Sequence, residues 1–142
     1  MSPSKRLKPV HQVAANKELN AARTMGRARR NLAQEEAKLA QLKQYHQEYM
    51  DRFQQVASQG MSATQLQEYR AFLTKLDEAI EQQQKVVSAS MATHSSHKDN
   101  WKQKHTRTQA LGKVVERYRK EERKASERTE QKEIDEHNTR GK

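Results

Sequence analysis

Residues 58–66 read Ser58-Gln59-Gly60-Met61-Ser62-Ala63-Thr64-Gln65-Leu66, and this stretch decides the fold because it is the one break between two long apolar repeats. Gly60 can take the left-handed conformation that closes a helix at its carboxyl end. Ser62-Ala63-Thr64-Gln65 then fits a capping box, in which the Ser hydroxyl and the Gln amide each satisfy an orphan backbone N–H. Met61 and Leu66 fit the flanking hydrophobic staple. A helix end followed at once by a helix start turns the chain back on itself.

Upstream of the break, Met25, Ala28, Leu32, Glu35, Leu39, Leu42, His46, Tyr49, Phe53 and Val56 alternate spacings of three and four, as a coiled-coil seam requires. Downstream, Leu66, Tyr69, Leu73, Leu76, Ile80, Gln83, Val87, Ser90, His94, His97, Trp101, Lys104, Thr108, Leu111, Val115 and Tyr118 keep the same rhythm. The pattern predicts an all-α fold: two long helices in an antiparallel coiled-coil hairpin, a rod with no room for an enclosed active site. Expected boundaries are a flexible basic segment over 1–10, which holds Pro3 and Pro9, then helix one over 11–58 and a turn over 59–62. Helix two follows over 63–138, overhanging the first after about Val115, with a disordered tail over 139–142.

Charge offers a check on how the helices pair. If Phe53 faces Tyr69 and Tyr49 faces Leu73, the same register sets Glu18 opposite Lys104, Ala21 opposite Trp101 and Lys43 close to Asp77. It also pairs Glu35 with Val87 and Leu32 with Ser90, which are poor partners, and Gly112 weakens helix two by about 1 kcal/mol against Ala.

Composition points the same way. Apolar residues make up 32% of the chain and aromatics 5%, short of what a packed globular core of 142 residues uses. Net charge is +10, and disorder is the competing reading of such a composition, but a disordered chain has no reason to keep seam periodicity through so many heptads. Cysteine is absent, which excludes disulfides and thiolate metal sites. No apolar stretch approaches the ~20 residues of a membrane span or the apolar core of a signal peptide, so a cytoplasmic location is the default expectation.

Base is concentrated away from the turn. Residues 1–31 hold eight Lys or Arg and one acid, residues 32–88 six bases and eight acids, and residues 89–142 fourteen bases and nine acids. In a hairpin this makes the open end cationic. Arg23, Arg27 and Arg30 recur at helical spacing, as do Arg117, Lys120 and Lys124. Such clusters are either a solvated face or a docking site for an acidic protein or nucleic acid; Glu116, Glu121, Glu122 and Glu127 dilute the second cluster, against nucleic acid.

The flanks of the seam are unequal. One edge carries Lys38, Tyr45, Arg52, Phe72, Ala79 and Val86; the other carries Lys43, Met50, Arg70, Asp77 and Gln84. Tyr45 and Phe72, with Leu42, Tyr49 and Leu76 just inside, resemble the aromatic anchors of protein interfaces, since a rod has no third layer to cover them. The alternative is that the two rings simply widen the seam. His94, His97 and His105 share a helix face, but Asp99 is the only acid nearby, a thin donor set for a metal. No phosphate loop, nucleophile elbow or carboxylate pair in a concave pocket is present, so neither an enzyme nor a cofactor is expected.

The string Tyr45-His-Gln-Glu-Tyr49, Gln59-Gly60 and Tyr69-Arg-Ala-Phe72-Leu73-Thr-Lys-Leu76-Asp-Glu-Ala79-Ile80-Glu-Gln82, with Trp101 downstream, resembles the FliJ family of flagellar type III export proteins over nearly the whole chain. The resemblance implies a cytoplasmic, non-enzymatic stalk similar to the central stalk of rotary ATPases, peripherally associated with the inner-membrane export apparatus of a flagellum that serves chemotaxis. It implies docking in the ring of the export ATPase FliI, binding of the export gate protein FlhA, and escort of export chaperones. The family's gate surface falls on Leu42, Tyr45, Tyr49, Phe72, Leu76 and Ala79, with Lys38 and Gln83 at its edges. For the ATPase contact the cationic open end suggests Arg27, Arg30, Arg117 and Arg123. Other readings of the chain are a basic coiled coil associated with nucleic acid, a homodimeric scaffold, or the corresponding stalk of a virulence type III system.

Overall fold

The computed structural model describes residues 1–141, and in them two helices carry nearly all of the chain: α1 over Pro3–Gln59 and α2 over Ala63–Arg140. They pack against each other as an antiparallel hairpin, and among the described residues no strand occurs. The turn has the chemistry its residues dictate. Gly60 has a φ of 100° and its N–H donates to the Ala57 carbonyl at 3.3 Å, one of the two bonds of a Schellman-type helix end. Ser62 and Gln65 exchange reciprocal 3.1 Å bonds, each side chain capping the other's backbone N–H.

The amino-terminal boundary differs from expectation. Helix α1 begins at Pro3 and not at residue 11, because Ser2 caps it: its hydroxyl accepts from the Lys5 N–H and its carbonyl from the Arg6 N–H. Proline suits the first helical position, where no N–H partner exists anyway. Pro9 then lies inside the helix, where it supplies no N–H to the Lys5 carbonyl. At the other end Thr139 and Arg140 are helical as well, and Lys142 lies outside the described residues.

The chain divides into two compact units, unit 1 made of Met1–Arg23 and Asp99–Lys142, unit 2 of Thr24–Lys98. In unit 2 every seam position read from the sequence is buried or half-buried, with Leu76, Val87 and Ser90 the most enclosed. The rings of Tyr49, Tyr69, Phe72 and Phe53 form a cluster near the turn, with centroids 4.3–5.5 Å apart. The positions that pair badly in a one-to-one register find other partners. Gln83 donates to the Glu35 carboxylate at 2.6 Å and to its carbonyl at 3.0 Å, and the Asn31 amide donates to the Ser90 hydroxyl at 3.3 Å. Asp77 meets His46 at 2.9 Å in place of Lys43.

In unit 1 the seam continues through Ser4, Leu7, His11, Ala14, Glu18 and Ala21, all sheltered, against Trp101 to Glu122 of α2. Glu18 reaches His105 at 2.5 Å and not Lys104, while the Trp101 ring stacks on His105 at 5.0 Å. At Gly112 a Cβ would lie 3.3 Å from His11 Nε2, a tight approach to the tip of the imidazole. Ser4 donates from both its backbone N–H and its hydroxyl to the Glu122 carboxylate, at 3.1 and 2.6 Å. A first-turn N–H is thereby satisfied by the other helix. Because α1 starts early, packing persists to Glu122, and α2 is exposed at every residue from Arg123 to Arg140.

Two outcomes follow from this division between seam and surface. Leu76→Ala, which empties a buried seam position, should cost roughly 2–4 kcal/mol in denaturant unfolding, whereas Leu19→Ala, half exposed, should change stability by less than about 0.5 kcal/mol. The carboxyls of Glu18, Glu35 and Glu122 are held below their ordinary 4.5, first by hydrogen bonds from His105, Gln83 and Ser4 respectively. A carboxyl depressed in the folded state stabilises above its unfolded pKa and loses that contribution as pH falls through the folded value. Thermal midpoints followed by circular dichroism should therefore drop on acidification below 4.5, and the drop should be shallower when all three are Gln.

Candidate partner-binding edge

The eight residues expected at the gate surface all lie in unit 2. Three heptads of α1 supply Lys38, Leu42, Tyr45 and Tyr49, and the facing turns of α2 supply Phe72, Leu76, Ala79 and Gln83. They divide by exposure. Leu76 is buried; Leu42, Tyr49, Ala79 and Gln83 are half-buried; Lys38, Tyr45 and Phe72 are exposed. Tyr45 and Phe72 stand 49% and 44% exposed, as aromatic side chains without a covering layer must. Val86 extends the same edge and is also exposed.

Each side chain is held by its neighbours. The Phe72 ring rests on Tyr49 at 4.3 Å and a 39° tilt, which sets its direction while leaving its outer face open. Tyr45 is steadied by Gln41, whose amide donates to the phenolic oxygen at 2.9 Å one turn earlier. Gln83 is committed to Glu35, and the exposed Lys38 reaches the same, largely sheltered carboxylate at 3.4 Å. Glu35 thus anchors both polar residues at one end of the edge. Two rigid rings on packed helices, flanked by a lysine, can bind an apolar segment; no group there is placed to transfer a proton or attack a bond.

The cationic residues are not brought together in the same way. Arg27 and Arg30 belong to unit 2, Arg117 and Arg123 to unit 1. All four are exposed; Arg27 donates to Thr24 at 3.2 Å and Arg123 lies 3.5 Å from Glu116. His94 and His97 are half-buried seam residues and His105 is tied to Glu18; among the described residues no group of three His, Asp or Glu is arranged to hold a metal ion. No described helix is long and apolar enough to cross a membrane. Sequence reading missed the exposed Val10, Val13, Leu19, Met91 and Ile134. The first two could have been found by extending the heptad phase back through Ser4 and Leu7, which sets Val10 on a flank.

Two long antiparallel helices with ordered aromatic rings beside their seam define the class of two-helix coiled-coil proteins. The chain matches the family described as Flagellar FliJ protein over residues 3–141. It is also 30% identical over 123 residues to the Flagellar FliJ protein of Escherichia coli (strain K12), covering 86% of this chain and 84% of that one. The chain therefore belongs to the FliJ family, a structural component of the flagellar export apparatus.

Whether the rings serve binding or only widen the seam is testable. Tyr45→Ala should leave the thermal midpoint nearly unchanged, because its ring is half exposed and packs on no ring of the aromatic cluster. Phe72→Ala should cost the ~0.5–1.5 kcal/mol of one aromatic pair in addition to its buried area. Both are read by thermal unfolding, and a large loss from Tyr45→Ala would favour the structural role.

Proposed function

We propose that the chain is a non-enzymatic stalk of the flagellar type III export apparatus whose unit 2 edge binds the export gate protein FlhA. The observation that carries this reading is the pair of exposed, pre-oriented rings, Tyr45 and Phe72, on an edge that coincides with the family's gate surface. The rings lose little conformational freedom on binding because Tyr49 and Gln41 already hold them. Leu76 and Gln83 support this edge from beneath, one by packing and the other through Glu35.

The exposed arginines Arg27, Arg30, Arg117 and Arg123 dock the export ATPase FliI, and the chain escorts export chaperones, held in the cytoplasm at the periphery of the inner-membrane apparatus. Charge supports the ATPase half: unit 1 holds eighteen Lys or Arg against ten Asp or Glu. Long-range attraction of this kind speeds encounter and weakens with salt.

Purified partners separate the two contacts. Tyr45→Ala and Phe72→Ala should each weaken gate binding at least tenfold, about 1.4 kcal/mol, and leave ATPase binding unchanged. Reversing the four arginines to Glu should do the opposite, and raised salt should weaken the ATPase contact more than the gate contact. Equal loss of both partners in either variant set would sink this division.

A further inference from the structure

Two surfaces of unit 1 are left unused by the contacts proposed above. Ala14, Lys17, Lys104 and Arg107 line a groove of about 250 Å³, which runs on past Val10 and Val13 through shared walls at Ala14, Lys17 and Arg107. Val10 and Val13 are 42% and 52% exposed. Among the described residues, none of the three cationic side chains has a hydrogen bond or ion pair. Glu18, the carboxylate that register offers to Lys104, is taken by His105. Three like charges around one hollow repel each other, and an anionic occupant relieves that repulsion.

The valines say what kind of anion. A phosphate would use the charges and leave both valines in water, whereas a protein segment with an aliphatic side chain among carboxylates covers valines and cations together. That pattern occurs in the chain itself. Ile134 is 53% exposed on the uncovered part of α2 and shares a shallow hollow with Glu130, Glu133 and His137. Residues 130–137 contain Glu130, Glu133, Asp135 and Glu136 against the one base Lys132. An unaccompanied helix of this length is marginal in water. Ile134 cannot reach its own groove, because Arg107 lies on the same helix about 40 Å away at 1.5 Å per residue.

We propose that the groove binds the α2 extension of a second copy of this chain, with Ile134 against Val10 and Val13 and the acidic side chains against Lys17, Lys104 and Arg107. Run antiparallel, each copy gives its extension and receives the other's. The contact is then isologous and closes at a dimer, with no free surface to continue into a filament. The inference rests on the chain's own surfaces and does not depend on the export reading. Where that reading also holds, Arg117 and Arg123 lie in the covered stretch, so a second copy and the ATPase compete.

Sedimentation equilibrium of the full chain at near-physiological salt tests this, with circular dichroism confirming that each variant stays helical. The wild type should dimerise with rising concentration. Ile134→Asp, the groove reversal K17E/K104E/R107E and the extension reversal E130K/E133K/E136K should each weaken dimerisation at least tenfold. Mixing the two charge-reversed variants should restore a heterodimer, since both groove and extension pairs are then opposite in sign. A wild type that stays monomeric, or a dimer indifferent to these variants, overturns the proposal. So does a monomeric wild type whose groove reversal abolishes ATPase binding, because the groove then serves that partner.

Discussion

A layer of two helices can bury only one stripe of each, and the rest of this structure follows from that constraint. Among the described residues only Ala14, Ala21, Leu76, Val87, Val115, Ser4 and Ser90 are buried, and no large side chain is fully enclosed. With so little apolar area removed from water, shape alone does not fix how the helices slide past each other. Polar ties across the seam do that: Ser4 to Glu122, Glu18 to His105, Asn31 to Ser90 and Glu35 to Gln83. Each needs its partner within hydrogen-bond reach, so a shift of one helical turn would leave half-buried polar groups unpaired. No buried side-chain polar atom among the described residues is unsatisfied.

The same constraint produces the exposed aromatic edge. A residue beside the seam has neither a second layer to cover it nor enough room to be solvated like a charge. Where it is Lys or Gln the result is solubility; where it is Tyr45 or Phe72 the result is an apolar ring fixed at the edge of a rigid scaffold. The aromatic cluster near the turn makes that edge firm, because Tyr49 is wedged between Tyr69 and Phe72. Exposed edge and seam are therefore one construction, with Leu76 buried in the seam and Gln83 tied to Glu35 across it.

Much of this was readable from residues. Every seam position assigned from the alternation of three and four is sheltered, and the turn from Gly60 to Gln65 forms the bonds its residue types call for. The exposed edge followed from heptad phase alone. The amino terminus is less legible, because Pro9 reads as a helix barrier, although Ser2-Pro3 is a cap and first-turn pair and Ser4, Leu7, His11 and Ala14 keep the seam rhythm. Of the four arginines named from the cationic open end, Arg27 and Arg30 belong to unit 2 and Arg117 and Arg123 to unit 1, since sequence spacing on one helix does not say which turns share a compact unit.

By itself the sequence determined which stripe of each helix is inward, where the chain reverses, and which rings are left beside the seam, because periodicity and capping are local properties of the backbone. Only the tertiary structure decided which polar residue meets which. A seam register names the residue opposite, but a side chain reaches one or more positions to either side, so Glu18 takes His105 over Lys104 and Glu35 takes Gln83 over Val87. Those choices depend on side-chain length and direction across the gap, which no spacing along a single chain records. They also decide what is left over: with Glu18 engaged by His105, Lys104 has no ion pair among the described residues and lines a groove with Lys17 and Arg107.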